Sequence, residues 1–151
     1  MTAPVPDAAD FRSVLQRARD IKLLVFDVDG VLTDGRLYLC NDGQEYKAFH
    51  SRDGHGMKML LSTGVELAII TGRTSRVVEL RAENLGIGHL YQGAADKYGV
   101  FTELLGKLKY AAEQAAYFGD DVVDLAVMRR CGLAFTVPEA PALVSLHAHY
   151  V

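Results

Sequence analysis

Ile21-Lys22-Leu23-Leu24-Val25-Phe26-Asp27-Val28-Asp29-Gly30 is a nearly continuous apolar run that stops abruptly at two acids and a glycine. Broken only by Lys22, it suits a strand buried on both faces of a parallel sheet, where helices cover each side and in/out alternation is lost. Similar runs recur at 65–70, 115–118 and 133–137, with a weaker one at 89–91. Helical stretches lie among them at 56–62, 75–85, 97–107 and 122–130. Strand and helix therefore alternate, which predicts an α/β sheet with right-handed crossovers.

One segment departs from the alternation. Residues 32–50 carry two strand-like runs, 36–40 and 44–49, around Asn41-Asp42-Gly43. Asp-Gly between such runs signals a hairpin. A lone two-stranded hairpin is marginal in water, so this one is expected to lean on a partner surface. At the start of the chain, residues 1–9 read as a loose arm and 10–19 as a short helix, so that residues 1–20 precede the sheet.

Composition bounds the rest. A chain of 151 residues fits one domain with one core. Half of it is hydrophobic and 23% is charged, the balance of a globular protein. A net charge of −3 with no basic stripe argues against nucleic acid. The apolar runs are too short to span a membrane, and the N-terminus lacks the basic and apolar regions of a signal peptide. Cys40 and Cys131 have no metal-ligand spacing and read as reduced thiols in the cytoplasm. His147 and His149 read as surface residues, and His55 by itself decides nothing.

In open α/β sheets, ligands bind beyond the carboxyl ends of the strands. The first strand delivers Asp27 and Asp29 there, the second Thr71-Gly72-Arg73, and the fourth Gly119-Asp120-Asp121 followed by Asp124, while Lys97 opens the helix after the third. Each piece alone has an ordinary reading: a polar turn, a capped helix start, a solvated lysine, acids near a helix N-terminus. Together they form the set that phosphoryl transfer through an aspartyl phosphate requires. A carboxylate approaches a phosphate dianion only if charge is cancelled nearby, and Mg²⁺ held by carboxylates does this. Thr71 can donate to a phosphoryl oxygen and Lys97 can neutralise another. Asp29, two residues beyond the nucleophile Asp27, can serve as general acid and then activate water.

Asp27-Val-Asp-Gly-Val-Leu-Thr-Asp34, Ile70-Thr71-Gly72-Arg73, Lys97 and Gly119-Asp120-Asp121-x-x-Asp124 resemble the four motifs of the haloacid dehalogenase superfamily. More narrowly, Tyr46-Lys47-Ala48-Phe49-His50, Arg52-Asp53-Gly54 and His89-Leu90-Tyr91-Gln92-Gly93 resemble its uncapped phosphatases of 3-deoxy-D-manno-octulosonate 8-phosphate, which act in lipopolysaccharide precursor synthesis. The resemblance implies a Rossmann-like parallel sheet flanked by helices, a β-hairpin after the first strand, and no cap domain. It implies Asp27 as nucleophile and Mg²⁺ ligand, Asp29 as acid/base that also gives the metal its backbone carbonyl, Asp120 as second carboxylate ligand, and Asp124 behind them. Thr71 and Lys97 would hold the phosphate.

For a sugar-acid phosphate substrate the resemblance implies contacts from Asp29, His50, Ser51, Arg52, Asp53, Gly54, Lys58, Gly72, Arg73 and Arg81. Ser51 stands where the family usually has an apolar residue, and Lys58 where arginine is common. An arginine fork at Arg73 suits the sugar carboxylate. The resemblance further implies a homotetramer in which hairpins assemble and subunits close one another's sites. The family generally continues past Ala148-His149-Tyr150-Val151 into a glycine-rich turn and a helix that this sequence does not include. Rival expectations are a phosphatase of a nine-carbon sialic-type sugar phosphate, a receiver-like signalling domain, and a non-catalytic scaffold. The split acid pair and the hairpin argue against a receiver.

Overall fold

The computed structural model describes residues 8–151; the first seven residues of the expected N-terminal arm lie outside them. The elements run α1 (Ala8–Ala18), β1 (Leu23–Phe26), β2 (Tyr38–Leu39), β3 (Glu45–Tyr46), α2 (Ser51–Ser62), β4 (Glu66–Ile70), α3 (Arg76–Leu85), β5 (His89–Tyr91) and α4 (Lys97–Leu108). They continue with β6 (Ala115–Phe118), α5 (Leu125–Met128), β7 (Leu133–Phe135) and α6 (Ala142–Ser145). Five strands form one sheet in the order β5-β4-β1-β6-β7, with every pairing parallel. β2 and β3 form a separate antiparallel pair. The architecture is the expected α/β sheet with a hairpin after the first strand.

Side-chain alternation splits the core in two. Leu23 and Val25 of β1, with Ala68 and Ile70 of β4, pack with Phe101, Leu104 and Leu105 of α4 and with Val127 and Met128 of α5. On the opposite face, Phe26, Leu67 and Ile69 meet Met57 of α2 and Val78, Ala82 and Leu85 of α3. Being covered on both sides, the central strands tolerate apolar residues at every position, which is why they appear as runs.

The sheet order makes β1 the switch point, because the chain moves outward to β4 and β5 and then returns to β6 and β7 on the other side. Phe26 pairs with Ile69 and with Phe118, so the carboxyl ends of β1, β4 and β6 are level. Backbone bonds carry that alignment into the loops: the Asp27 N–H donates to the Phe118 carbonyl at 2.9 Å and the Thr71 N–H to the Tyr91 carbonyl at 3.0 Å.

Several boundaries differ from the expected ones by a residue or two, and three differ with a physical reason. α2 begins at Ser51 rather than 56. Gly54 and Gly56 dilute helix propensity there, but the His50 ring accepts from the Arg52 N–H at 3.1 Å and caps the first turn. The helix expected over 122–130 divides into a 3₁₀ turn, Val122–Asp124, and α5. Its first turn is tightened because the Asp124 carboxylate turns back to accept from the Asp120 and Asp121 N–H groups. Each hairpin strand is only two residues long, shorter than the runs at 36–40 and 44–49, and among the described residues no third strand extends the pair. Among the described residues, no helix is long and apolar enough to cross a membrane.

Candidate active site

At the carboxyl edge of the sheet lies a pocket of about 350 Å³ lined by Asp27, Asp29, Gly35, Thr71, Gly72, Arg73, Lys97, Asp120, Asp121 and Val123. Its floor is a buried charge cluster. Asp27 is 6% exposed and Lys97 5%. The Lys97 ammonium sits 2.8 Å from Asp27 Oδ2 and 2.7 Å from Asp124 Oδ1. Asp27 Oδ1 accepts from the Val28 N–H at 2.7 Å. Lys97 reaches this point because it is the first residue of α4, whose start is fixed by Asp96 accepting from the Gly99 N–H at 3.0 Å.

Asp124 is fully buried and fully engaged. Its Oδ1 also accepts from the Tyr117 hydroxyl at 2.6 Å, and its Oδ2 accepts from the N–H groups of Asp120 at 3.1 Å and Asp121 at 3.2 Å. It therefore shapes the loop that carries Asp120. Two glycines make this geometry accessible. A Cβ on Gly30, whose φ is +87°, would stand 1.9 Å from Asp120 Oδ2. A Cβ on Gly119 would stand 2.5 Å from that of Asp124. The glycines in Asp-x-Asp-Gly and Gly-Asp-Asp are thus close-approach positions, where any side chain would push the acids apart.

Three carboxylates around one ammonium leave excess negative charge. Ligand oxygens of Asp27, Asp120 and Asp124 lie within 4.8 Å of one another. Burial, then the charges of Asp27 and Asp124, push the Asp120 carboxyl up to about 6. Asp27 is also raised, by burial first and by Asp124 next, against the opposing pull of Lys97. Lys97 itself is held above the ordinary lysine value: burial opposes its charge, but the two carboxylates outweigh burial. Such a set of hard oxygens short of positive charge fits a divalent cation such as Mg²⁺.

A second cluster forms the mouth. Asp29, whose side chain is 21% exposed, receives the Lys47 ammonium on Oδ1 at 2.5 Å, and Arg73 Nε lies 3.8 Å from its Oδ2. Glu45 Oε1 bridges the same two cations, at 2.9 Å from Lys47 and 3.2 Å from Arg73. The Lys47 hydrogen bond holds the Glu45 carboxyl below the usual range.

The structure brings Asp27, Asp29, Thr71, Gly72, Arg73, Lys97, Asp120 and Asp124 to one place, with Asp124 just behind the pocket wall. It does not bring the remaining candidates into that pocket. His50 and Asp53 line an adjacent cleft. Ser51, Arg52 and Lys58 are exposed along α2. Gly54 is buried against Arg81, whose guanidinium also lies 5.5 Å from the Phe49 ring centroid and donates to the His50 carbonyl at 3.3 Å. Arg81 is therefore half-buried and engaged rather than a plain exposed helix residue.

Three residues escaped the sequence reading: Glu45, Lys47 and Tyr117. The signal for the first two was strand alternation, since Glu45 and Lys47 are two apart and share a face. Tyr117 reads as core because its ring is core, packed edge-on to Phe101, and only its hydroxyl is polar.

No protein-family model matches the chain. It is 49% identical over 138 residues to the 3-deoxy-D-manno-octulosonate 8-phosphate phosphatase of Yersinia pestis, covering 91% of this chain and 74% of that protein. The solved structure of the Yersinia enzyme superposes with a TM-score of 0.91, covering 97% of this chain and 77% of that one. The Moraxella catarrhalis phosphatase, solved with magnesium ion, phosphate ion and a KDO molecule, is 40% identical with a TM-score of 0.90, covering 92% of this chain and 80% of that one. A haloacid dehalogenase superfamily hydrolase from Legionella pneumophila is likewise 40% identical with a TM-score of 0.91, covering 94% and 78%. With the acids, threonine and lysine of the four motifs gathered at one sheet edge, the chain belongs to the 3-deoxy-D-manno-octulosonate 8-phosphate phosphatase family of the haloacid dehalogenase superfamily.

Proposed function

We propose that this chain is a Mg²⁺-dependent phosphatase that hydrolyses 3-deoxy-D-manno-octulosonate 8-phosphate to the free sugar acid and phosphate, a step of lipopolysaccharide precursor synthesis in the cytoplasm. The observation that carries it is the buried Asp27 carboxylate at the end of β1, with Lys97 at 2.8 Å and Asp120 and Asp124 crowded beside it. The substrate follows from the relatives, whose named activity is this one.

Asp27, Asp120 and the backbone carbonyl of Asp29 would hold the Mg²⁺, with Asp124 supporting them, since both Asp124 oxygens already have protein donors. When bound, the ion supplies the charge cancellation that lets a carboxylate approach a phosphate dianion. Asp27 attacks phosphorus and the bond from phosphorus to the sugar oxygen breaks. Asp29 gives its proton to that leaving oxygen. The Thr71 hydroxyl and the Lys97 ammonium stabilise charge on the phosphoryl oxygens. In the second half, water attacks the aspartyl phosphate and passes a proton to Asp29. The bond to Asp27 breaks, phosphate leaves, and both carboxyls return to their starting states.

Arg73, half-exposed at the mouth, is placed for the sugar carboxylate. His50, Ser51, Arg52, Asp53, Gly54, Lys58 and Arg81 would contact sugar in a neighbouring subunit's site within a homotetramer. Supporting that assembly, the short hairpin exposes Leu37, Tyr38, Leu39 and Tyr46. Phosphate release from the octulosonate ester, with and without Mg²⁺ and in Asp27→Asn, tests the activity. Faster turnover of a nine-carbon sialic-type ester would displace the substrate assignment. Light scattering coupled to gel filtration tests the tetramer.

A further inference from the structure

Lys47 follows β3 directly, and the strand period of two turns it and Glu45 to the site while Tyr46 faces away, 59% exposed. The Lys47 side chain is only 1% exposed, and its ammonium is shared between Asp29 Oδ1 at 2.5 Å and Glu45 Oε1 at 2.9 Å. A lysine this enclosed is not presented to substrate, and it does not line the pocket. All its charge is directed at the carboxylate of one site residue and at the residue that braces it. Asp29 sits in the loop after β1, and its side chain is 21% exposed, with the neighbouring Arg73 46% exposed. Without Lys47, the one other cation beside it among the described residues would be Arg73 at 3.8 Å, a longer contact made by a group that the sugar carboxylate also attracts.

We propose that Lys47, braced by Glu45, is a positioning residue for Asp29, so that the hairpin completes the active site of its own chain as well as reaching toward a neighbour. The inference rests on the assignment of Asp29 as general acid. A carboxyl acting on the leaving oxygen must be held within hydrogen-bond reach of it, and a loop carboxylate with a fixed partner loses less orientation than a free one. Glu45 makes the contact directional. It holds the same ammonium at 2.9 Å and also pairs with Arg73 at 3.2 Å.

The test uses esters that lack the sugar acid, so that Arg73 is not engaged: p-nitrophenyl phosphate, phenyl phosphate and a simple alkyl phosphate. A good leaving group needs little protonation and a poor one needs much. Lys47→Met is expected to lower kcat roughly tenfold to a hundredfold on the alkyl ester, within the range that general acids contribute, and less than about threefold on p-nitrophenyl phosphate, with little change in KM. Lys47→Arg restores part of the loss, and Glu45→Gln reproduces a smaller loss with the same leaving-group dependence. Equal losses on all three esters, or no loss on any, would overturn the proposal. If Lys47→Met does not fold, Glu45→Gln and Lys47→Arg carry the same comparison. Asp29→Asn, run in parallel, separates the two assignments: a leaving-group dependence in Asp29→Asn but not in the Lys47 and Glu45 variants removes the role of Lys47 alone. Its absence in Asp29→Asn removes the general acid itself.

Discussion

Asp27 and Asp29 are two residues apart, yet they belong to charge clusters built on opposite principles. Asp27 lies in the floor, where Lys97, Asp124 and Tyr117 are 5%, 0% and 0% exposed and each is delivered by a strand end, a helix start or the core itself. Asp29 lies in the mouth, where Glu45, Lys47 and Arg73 come from the hairpin and from the loop after β4. The floor therefore has little freedom to move, and its charges are tied to the stability of the fold. The mouth is tied together by ion pairs around an enclosed Lys47 and a half-exposed Arg73, and the solvent-facing Arg73 pairs contribute little stability and leave room for a ligand to rearrange them.

The largest expected effect is at the floor. Asp27→Asn should lower phosphate release by roughly 10⁴-fold or more if Asp27 is the nucleophile we propose. Its melting temperature should be unchanged or higher, because it also relieves the crowding that raises the Asp27 carboxyl. Parallel phosphate-release and thermal-melt assays check both. A marked fall in stability would mean that the floor depends on the Asp27 charge rather than tolerating it.

Stability provides the next contrast. Lys97→Met leaves Asp27 and Asp124 buried without their cation and should cost about 3–5 kcal/mol in urea unfolding. Glu45→Gln at the mouth should cost less than about 1 kcal/mol, since its partner Arg73 is half-exposed and Lys47 keeps Asp29. Similar values for the two would erase the distinction between the clusters.

Gly30→Ala probes the seam. At φ +87° a side chain is strained by about 1–2 kcal/mol. The new methyl would also displace Asp120, whose carboxylate oxygen stands 1.9 Å from its position. Half-maximal Mg²⁺ should therefore rise by roughly tenfold, read from activity against Mg²⁺ concentration, while Gly43→Ala in the hairpin turn should leave the Mg²⁺ requirement unchanged.

The smallest effect lies away from both clusters. The His149 ring accepts from the Ala134 N–H at 2.9 Å, so it must be neutral there, and burial, with Arg17 adding, lowers its pKa from 6.5. A histidine with a depressed folded pKa contributes stability that is full above the unfolded value and is lost as pH falls below it. Thermal melts between pH 7.5 and about 5 should lose stability in the wild type through this window, and less so in His149→Gln. Activity at neutral pH should not follow the substitution. A matching change in turnover would connect the C-terminal segment to the site.

Much of the floor was legible because each of its strands is an apolar run that ends in a chemically distinctive residue. Asp27 follows Phe26, Thr71 follows Ile70 and Gly119-Asp120 follows Phe118, so locating the run locates the acid. Lys97 and Asp124 were placed by motif, but their 2.7 Å pairing was not, since it depends on how α4 meets the loop after β6. The early start of α2 was hidden because Gly54 is a poor helix former, and its place is explained only by Arg81 filling the space where a Cβ would stand. At the mouth, Asp29 and Arg73 were legible from the strand ends, but Glu45 and Lys47 were not. Lys47 is an ordinary surface residue in sequence, and the hairpin that brings it to Asp29 has strands of only two residues.

The parallel sheet, the hairpin after its first strand and the polar residues at the strand ends follow from residue order alone, because hydrophobic period and turn chemistry are local properties that a chain carries in any conformation. Which charges meet depends on how the elements pack in three dimensions. The sheet order sets β1 between β4 and β6 and so brings Asp27, Thr71 and Asp120 together. The fold of the hairpin onto the edge of the sheet turns Lys47 and Glu45 inward, and a one-residue slip in its register would have turned them out to water.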